Sequence, residues 1–187
     1  MNVLGFRDGP LVWIDCEMTG LDPEVDRIIE IAVLITNGNL DLVDETGCHY
    51  VVKTSKEVLD NISVWENGAE FNMARQVIYD VTRRYTILML GHLEQSGLTQ
   101  EAINSPYPPE EVATRVLEYI RRWVPAPHTG TLAGNSVHAD AMFLQAKGPD
   151  AGEGASRGVW NGVMEHLYYR LVGMCTQRYA TDDLMTP

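Results

Sequence analysis

Positive charge is scarce in this chain. Its 187 residues carry 14 Lys and Arg against 26 Asp and Glu, a formal net charge of −12. That balance argues against a protein that wraps long nucleic acid, because neutralising many phosphates needs clustered Lys and Arg. It leaves room for a small site in which a bound cation supplies the positive charge. Cysteine is scarce too. Cys16, Cys48 and Cys175 are scattered, with no C-x-x-C, so neither a zinc site nor a disulfide framework is suggested. No run of about 18 apolar residues exists, which argues against a transmembrane helix. The start, MNVLGFRDGP, lacks the basic-then-apolar layout of a secretory signal and the Arg- and Ser-rich pattern of a transit peptide. A soluble intracellular protein with no evident targeting segment is the expectation. No internal repeat is found. Hydrophobic residues make up 45%, a globular composition, and the length suits one domain with a real core.

What is present falls into a readable order. Leu11–Cys16 and Arg27–Thr36 (RIIEIAVLIT) read as strands, and Cys48–Lys53 (CHYVVK) as a third. Asn37-Gly38-Asn39 is a hairpin signal, so the three strands suggest an antiparallel meander. Pro108-Pro109-Glu110-Glu111 opens a helix with proline and acid at its positive end. Val112, Val116, Leu117, Ile120 and Val124 form its apolar stripe, and Pro125 and Pro127 stop it. Thr131–Gly134 reads as a short strand and His138–Lys147 as a helix. Strand–helix alternation after a meander predicts an α/β domain with a mixed sheet. Ala74, Val77, Ile78, Val81, Tyr85 and Leu88 share a helical face within Phe71–Leu90. Gly148–Gly162 is Gly-rich and reads as an irregular loop.

Two charges sit oddly in this pattern. Asp15 and Glu17 fall inside the first strand, where residues two apart share a face. They would project side by side, with Cys16 turned the other way. Two neighbouring carboxylates repel, and burying them unpaired is costly. A divalent cation removes that cost, and Mg²⁺ and Mn²⁺ take oxygen ligands. A lone D-x-E is a weak signal, since a solvated strand end explains it as well. Its surroundings sharpen it: Met18-Thr19-Gly20-Leu21-Asp22 follows at once, and then Asp26-Arg27-Ile28-Ile29-Glu30-Ile31-Ala32.

The segment WIDCEMTGLD followed by DRIIEIA resembles the first motif of the oligoribonuclease family, DEDDh-type 3′–5′ exonucleases. LAGNSVHADAMFL (132–144) is similar to the family's second motif. Ser96-Gly97-Leu98-Thr99 and MEHLYYRLV (164–172) also match. The resemblance implies an α/β, ribonuclease H-like mixed sheet flanked by helices, incomplete at its C-terminal end. It implies a single exonuclease domain over residues 1–187, with atypical insertions near 66–95 and 148–162 and an atypical tail at 173–187. Asp15, Glu17 and Asp140 match three of the four carboxylates with which family members bind two divalent metals, Mg²⁺ or Mn²⁺. The implied chemistry is hydrolysis of the 3′-terminal phosphodiester of short single-stranded RNA to nucleoside monophosphates. Leu21 matches a residue that wedges against bases, and Trp65 an aromatic that stacks on one. Ser136, Tyr169 and Arg170 match positions that grip the 5′ end, in the family partly across a dimer interface, which implies a homodimer. No membrane partner is implied, and the compartment stays open between cytoplasm and mitochondrion. Simpler roles remain for several of these: Leu21 or Trp65 packing in the core, Ser136 capping the helix after it. His138 is read as structural, and Glu30 as a hydrogen-bonding or salt-bridging residue.

The chain also departs from the family. The last family motif is a His, the general base, followed five residues later by an Asp, the fourth carboxylate. His49, His92, His128, His138 and His166 lead to Thr54, Gly97, Ala133, Phe143 and Leu171, so none fits. Asp182 and Asp183 are poor substitutes without an accompanying His. The expectation is an impaired nuclease. The alternative is a non-catalytic binder of short RNA or nucleotides, or a dimerisation partner of a full-length relative. The absent C-terminal helices would leave one apolar sheet face uncovered.

Overall fold

The computed structural model describes residues 3–59, 97–152 and 154–174. Trp65, the helix expected within Phe71–Leu90, and Asp182 and Asp183 lie outside the described residues.

Three strands form first along the chain: β1 (Leu11–Met18), β2 (Ile28–Thr36) and β3 (Cys48–Val51). They are the expected antiparallel meander, with Leu11 opposite Thr36 and Glu30 opposite Val51. The Asn37-Gly38-Asn39 turn forms because the Asn37 side chain accepts from the Asn39 and Asp41 amides at 2.9 and 3.0 Å. A bridge between Thr36 and Leu42 closes it.

A short helix, α1 (Lys56–Leu59), follows, then α2 (Leu98–Asn104) and α3 (Pro109–Trp123). In α3, Pro109 occupies the first turn with Glu110 and Glu111, and Arg121 and Arg122 lie in the last turn. Acid at the start and base at the end both favour the helix dipole. Val112, Val116 and Ile120 are fully buried, as the apolar stripe predicts, and Ala113, Tyr119 and Trp123 join them. The long crossing through α3 lets the chain return in the same direction as β1. β4 (Thr131–Asn135) therefore lies parallel to β1, and β5 (Tyr168–Met174) parallel to β4. The sheet is mixed and five-stranded, in the order β3-β2-β1-β4-β5.

Between β4 and β5 lie α4 (Val137–Gln145) and α5 (Asn161–His166). The Gly-rich stretch is irregular only as far as Trp160, after which α5 begins. The Asn161 side chain donates to the Gln145 carbonyl at 2.7 Å and so satisfies the end of α4. Nε2 of His166 donates to the Val124 carbonyl at 2.8 Å and does the same for α3. Trp160 is 4% exposed. The Gly-rich stretch thus packs, at its C-terminal end, as part of the α/β body.

The two sheet faces divide the apolar residues by strand parity. Val12, Ile14 and Cys16 enter the main core with Ile31, Val33, Ile35, Leu132 and the buried sides of α3, α4 and α5. Burying each of these large aliphatic chains contributes about 1.5–3 kcal/mol. The opposite face holds a smaller cluster of Trp13, Leu34 and Ala133, with Leu11 and Leu42 against it. Those three are buried, and the Trp13 indole donates to Thr36 Oγ1 at 3.0 Å. The face expected to be bare is therefore closed at its centre.

Candidate active site

The β1–β4 ladder ends early. Pairing runs from Leu11↔Thr131 to Trp13↔Ala133 and then stops. At the last contact the backbones come very close: a Cβ on Gly134 would sit 2.8 Å from the Ile14 carbonyl oxygen, so only glycine fits there. Beyond that point β1 has an open edge. Asp140, on the first turn of α4, reaches into it, and its Oδ1 accepts from the Cys16 amide at 3.0 Å. A carboxylate thus takes the place in the ladder that β4 has left.

This juxtaposes the three acids. Asp140 is 4% exposed. Burial, and then the negative charge of Asp15, push its pKa from 3.8 up to about 7, although the Cys16 amide pulls it down. The Cys16 thiol is held well above its usual range by burial and by the charges of Asp140, Asp15 and Glu17. Cys16 faces the main core, as strand parity predicts, while all three carboxylates act on it. Among the described residues, no three carboxylate, imidazole or thiol groups converge closely enough to ligate one ion. The donor chemistry nonetheless fits a hard divalent cation. The oxygens are carboxylate, and Asp140 is a buried acid whose ionised form a cation would favour.

Glu30 stands directly opposite Glu17 on β2. Its Oε1 is 2.5 Å from Nε2 of His49 on β3, so Glu30 is the ion-pairing residue it was read to be. The Glu30 hydrogen bond raises the His49 pKa above its ordinary value, against the opposing effect of burial. Sequence reading passed over His49. No sequence signal marks it: His49 and Ala32 are register partners, and so are Ala32 and Asp15, a row that only the pairing of two ladders reveals.

The remaining candidates divide by position. Leu21 is 69% exposed in the loop after β1, which excludes a core role. Ser136 is exposed at the start of α4 and makes no side-chain capping bond, so the capping role fails as well. Its φ of 49° is left-handed, a conformation costing about 1–3 kcal/mol for a residue with a Cβ. His138 is exposed on α4. Tyr169 and Arg170 are at the other end of the sheet. Tyr168 is level with Thr131 and hence with Leu11. Asp15 lies four residues further, about 13 Å along the strands, and two strand spacings, about 10 Å, across. Between the pairs Thr131↔Tyr168 and Leu132↔Leu171, β5 carries two extra residues, Tyr169 and Arg170. This bulge turns them outward from an edge strand. Tyr169 is 75% exposed, and the Arg170 guanidinium lies 5.6 Å from its ring centroid. A cavity of about 430 Å³ opens beside them, walled by His128, Leu167, Tyr168 and Tyr169, and none of the three acids lines it.

The exonuclease family model matches residues 12–71, a span that includes Asp15 and Glu17. The mitochondrial oligoribonuclease of Saccharomyces cerevisiae is 37% identical over 87% of this chain and 50% of its own length. The probable oligoribonuclease of Dictyostelium discoideum is 32% identical over 93% of this chain and 72% of its own. The chain belongs to the oligoribonuclease family. It spans about half the length of the yeast relative. A crystal structure of exonuclease I with an inhibitor aligns over 73% of this chain and 23% of that one, at 14% identity and a TM-score of 0.43, too loosely to add to the assignment. The mixed sheet with helices around it is the ribonuclease H-like α/β architecture that the motif resemblance implied. Among the described residues, no helix is long and apolar enough to cross a membrane.

Proposed function

We propose that this chain is a 3′–5′ exoribonuclease for short single-stranded RNA, weakened by loss of its general base. The observation that carries the reading is Asp140 on the Cys16 amide, which delivers a third carboxylate to the strand that bears Asp15 and Glu17. Asp15, Glu17 and Asp140 would hold divalent cations, Mg²⁺ or Mn²⁺, two per site as in the family. When bound, the cations would supply Lewis-acid stabilisation of the phosphoryl oxygens during in-line displacement. The reaction adds water to the 3′-terminal phosphorus, breaks its bond to the 3′ oxygen of the preceding sugar and releases a nucleoside monophosphate. The 3′ oxygen takes up a proton.

The chain's own residues bind and orient. Leu21 would pack against a base at the site and Trp65 would stack on one. Ser136, one helical turn before Asp140, would face the substrate from the start of α4. Tyr169 and Arg170 would grip the 5′ end of a substrate held by a second copy, because in their own chain they are remote from the acids. The whole would act as one domain over residues 1–187, in the cytoplasm or the mitochondrion.

The weakening follows from the histidine spacing. None of the five histidines in these 187 residues is followed five residues later by an Asp, so none would accept the proton of water as the family base does. General base catalysis typically contributes about 10²- to 10⁴-fold. The same gap supports the second reading, a non-catalytic binder of short RNA. The deciding experiment titrates Mn²⁺ or Mg²⁺ into the purified chain with a labelled dinucleotide. The expected outcome is slow, metal-dependent monophosphate release that Asp15→Ala and Asp140→Ala abolish. Metal-dependent binding with no turnover establishes the second reading. Binding and turnover that are both indifferent to Asp15→Ala refute both.

A further inference from the structure

The loop after β1 is braced far more than its exposure requires. Asp26 Oδ1 accepts from the Thr19 hydroxyl at 2.9 Å, and Oδ2 accepts from the Asp22 amide at 2.9 Å. The Thr19 oxygen in turn accepts from the Arg27 amide at 3.0 Å. Thr19 N–H donates to the Arg27 carbonyl at 2.9 Å, and Asp26 N–H to the Asp22 carbonyl at 2.7 Å. Thr19 is 5% exposed. A Cβ on Gly20 would meet the Asp26 carboxylate at 2.4 Å, so the carboxylate lies against the glycine backbone and would have to shift for any side chain there.

The brace extends to the other half of the site. Arg27 Nε lies 3.0 Å from Asp150 Oδ1, and the pair is largely buried. Nε finds no acceptor in line, so the contact is an ion pair rather than an aligned hydrogen bond. It ties the loop to the segment that follows α4, the helix carrying Asp140. Leu21 stands on the one stretch these bonds enclose, between Gly20 and Asp22, and is 69% exposed. A single exposed leucine is ordinary on a loop. An exposed leucine held by a two-oxygen carboxylate clamp, four residues beyond Glu17, is a fixed apolar step.

We propose that Asp26 is a positioning residue: it clamps the Thr19–Asp22 turn so that Leu21 forms a rigid step on which a base of short RNA packs. The inference rests on the function reading above and deepens it. What it adds is Asp26, a carboxylate that never touches substrate and on which the placement of Leu21 depends. Rigidity matters here because a contact surface already ordered before binding loses little freedom on binding.

The test is a double-mutant cycle read by equilibrium binding. The probe is a hydrolysis-resistant RNA dinucleotide carrying 2-aminopurine, in the presence of Mg²⁺. Leu21→Ala is expected to weaken binding about tenfold, the loss of one apolar contact of this size. Asp26→Ala should weaken it similarly, and the double variant should bind no worse than Leu21→Ala alone, because Asp26 acts only through Leu21. Asp26→Asn keeps one acceptor and should fall between Asp26→Ala and wild type. A merely structural role would not produce this saturation. If circular dichroism shows Asp26→Ala unfolded, Thr19→Val, which removes only the hydroxyl, runs the same cycle with Leu21→Ala. Wild-type binding with an unchanged Asp26→Ala, or losses that multiply in the double variant, overturn the inference alone. A wild-type chain that does not bind the probe overturns the function reading and this inference together.

Discussion

The two ends of the sheet are built differently. At the carboxyl end of β1, the acids are brought together within one chain: Asp140 fills a vacated ladder position and is buried. At the opposite end, Tyr169 and Arg170 project from a bulge on an edge strand, and each finds mainly the other, with Arg170 Nε donating to the Tyr169 hydroxyl at 3.2 Å. One end stores electrostatic stress that a ligand can relieve. The other stores none and is open to whatever meets it. The same sheet thus carries a buried, charged end and an exposed, aromatic one.

Asp140 puts this contrast to its severest test. Its folded pKa of about 7 lies above the ordinary 3.8, so the folded state binds the proton more tightly than the unfolded state between those values. Stability of the metal-free protein should therefore fall as pH rises from about 4 to about 7. A pKa raised from 3.8 to about 7 sets an upper bound of about 4 kcal/mol on that fall. Asp140→Asn, which can still accept from the Cys16 amide, should flatten that fall and exceed wild type in stability above pH 7. Urea unfolding at several pH values measures it. Added Mg²⁺ should stabilise wild type and leave Asp140→Asn unmoved. A wild-type profile parallel to that of the Asn variant would show that the acids at this end are not stressed.

The edge should respond in the opposite sense. Tyr169→Ala and Arg170→Ala should leave the stability of the isolated chain in urea close to that of wild type, as exposed substitutions do. They should still weaken short-RNA binding by about tenfold if stacking and phosphate contact are lost. Mixing Arg170→Ala with Asp15→Ala chains goes further: each lacks a different end, and a mixed dimer would restore one complete site. Turnover no higher in the mixture than in either variant would argue against contribution from a second copy.

The smallest effect belongs to His49. Its pKa is raised by Glu30, so the stabilisation from the pair is fully present below the unfolded His pKa and disappears as pH rises through the folded one. His49→Gln should remove that shallow slope, which sets in near the ordinary His pKa of 6.5 and runs upward from it. Thermal midpoints across that range measure it, and a slope kept by His49→Gln would assign it elsewhere.

Much of this was legible in the chain. Alternation of apolar residues placed β1 and β2, the Asn-Gly-Asn turn reversed the chain after β2, and proline with two acids opened α3 where it was expected. The exposure of Leu21 was not legible, because an apolar residue after a strand fits a core as well as a surface. Nor was the failure of Ser136 to cap, since its left-handed φ turns the side chain away from the usual cap geometry. The bulge at Tyr169 and Arg170 was invisible because a bulge is a property of two strands in register.

The order of residues was enough to establish that Asp15 and Glu17 share a face, that a helix begins just before Asp140, and that no histidine keeps the family's distance from an aspartate. Those follow from backbone period and spacing. Folding alone settled that β4 leaves β1 at Ala133 and lets Asp140 into the gap, that Glu30 engages His49, and that Tyr169 and Arg170 stand at the far end of the same sheet. Such facts depend on which strands pair and where pairing stops. Pairing is settled by long-range packing between segments far apart in the chain, such as those of Leu11 and Thr131.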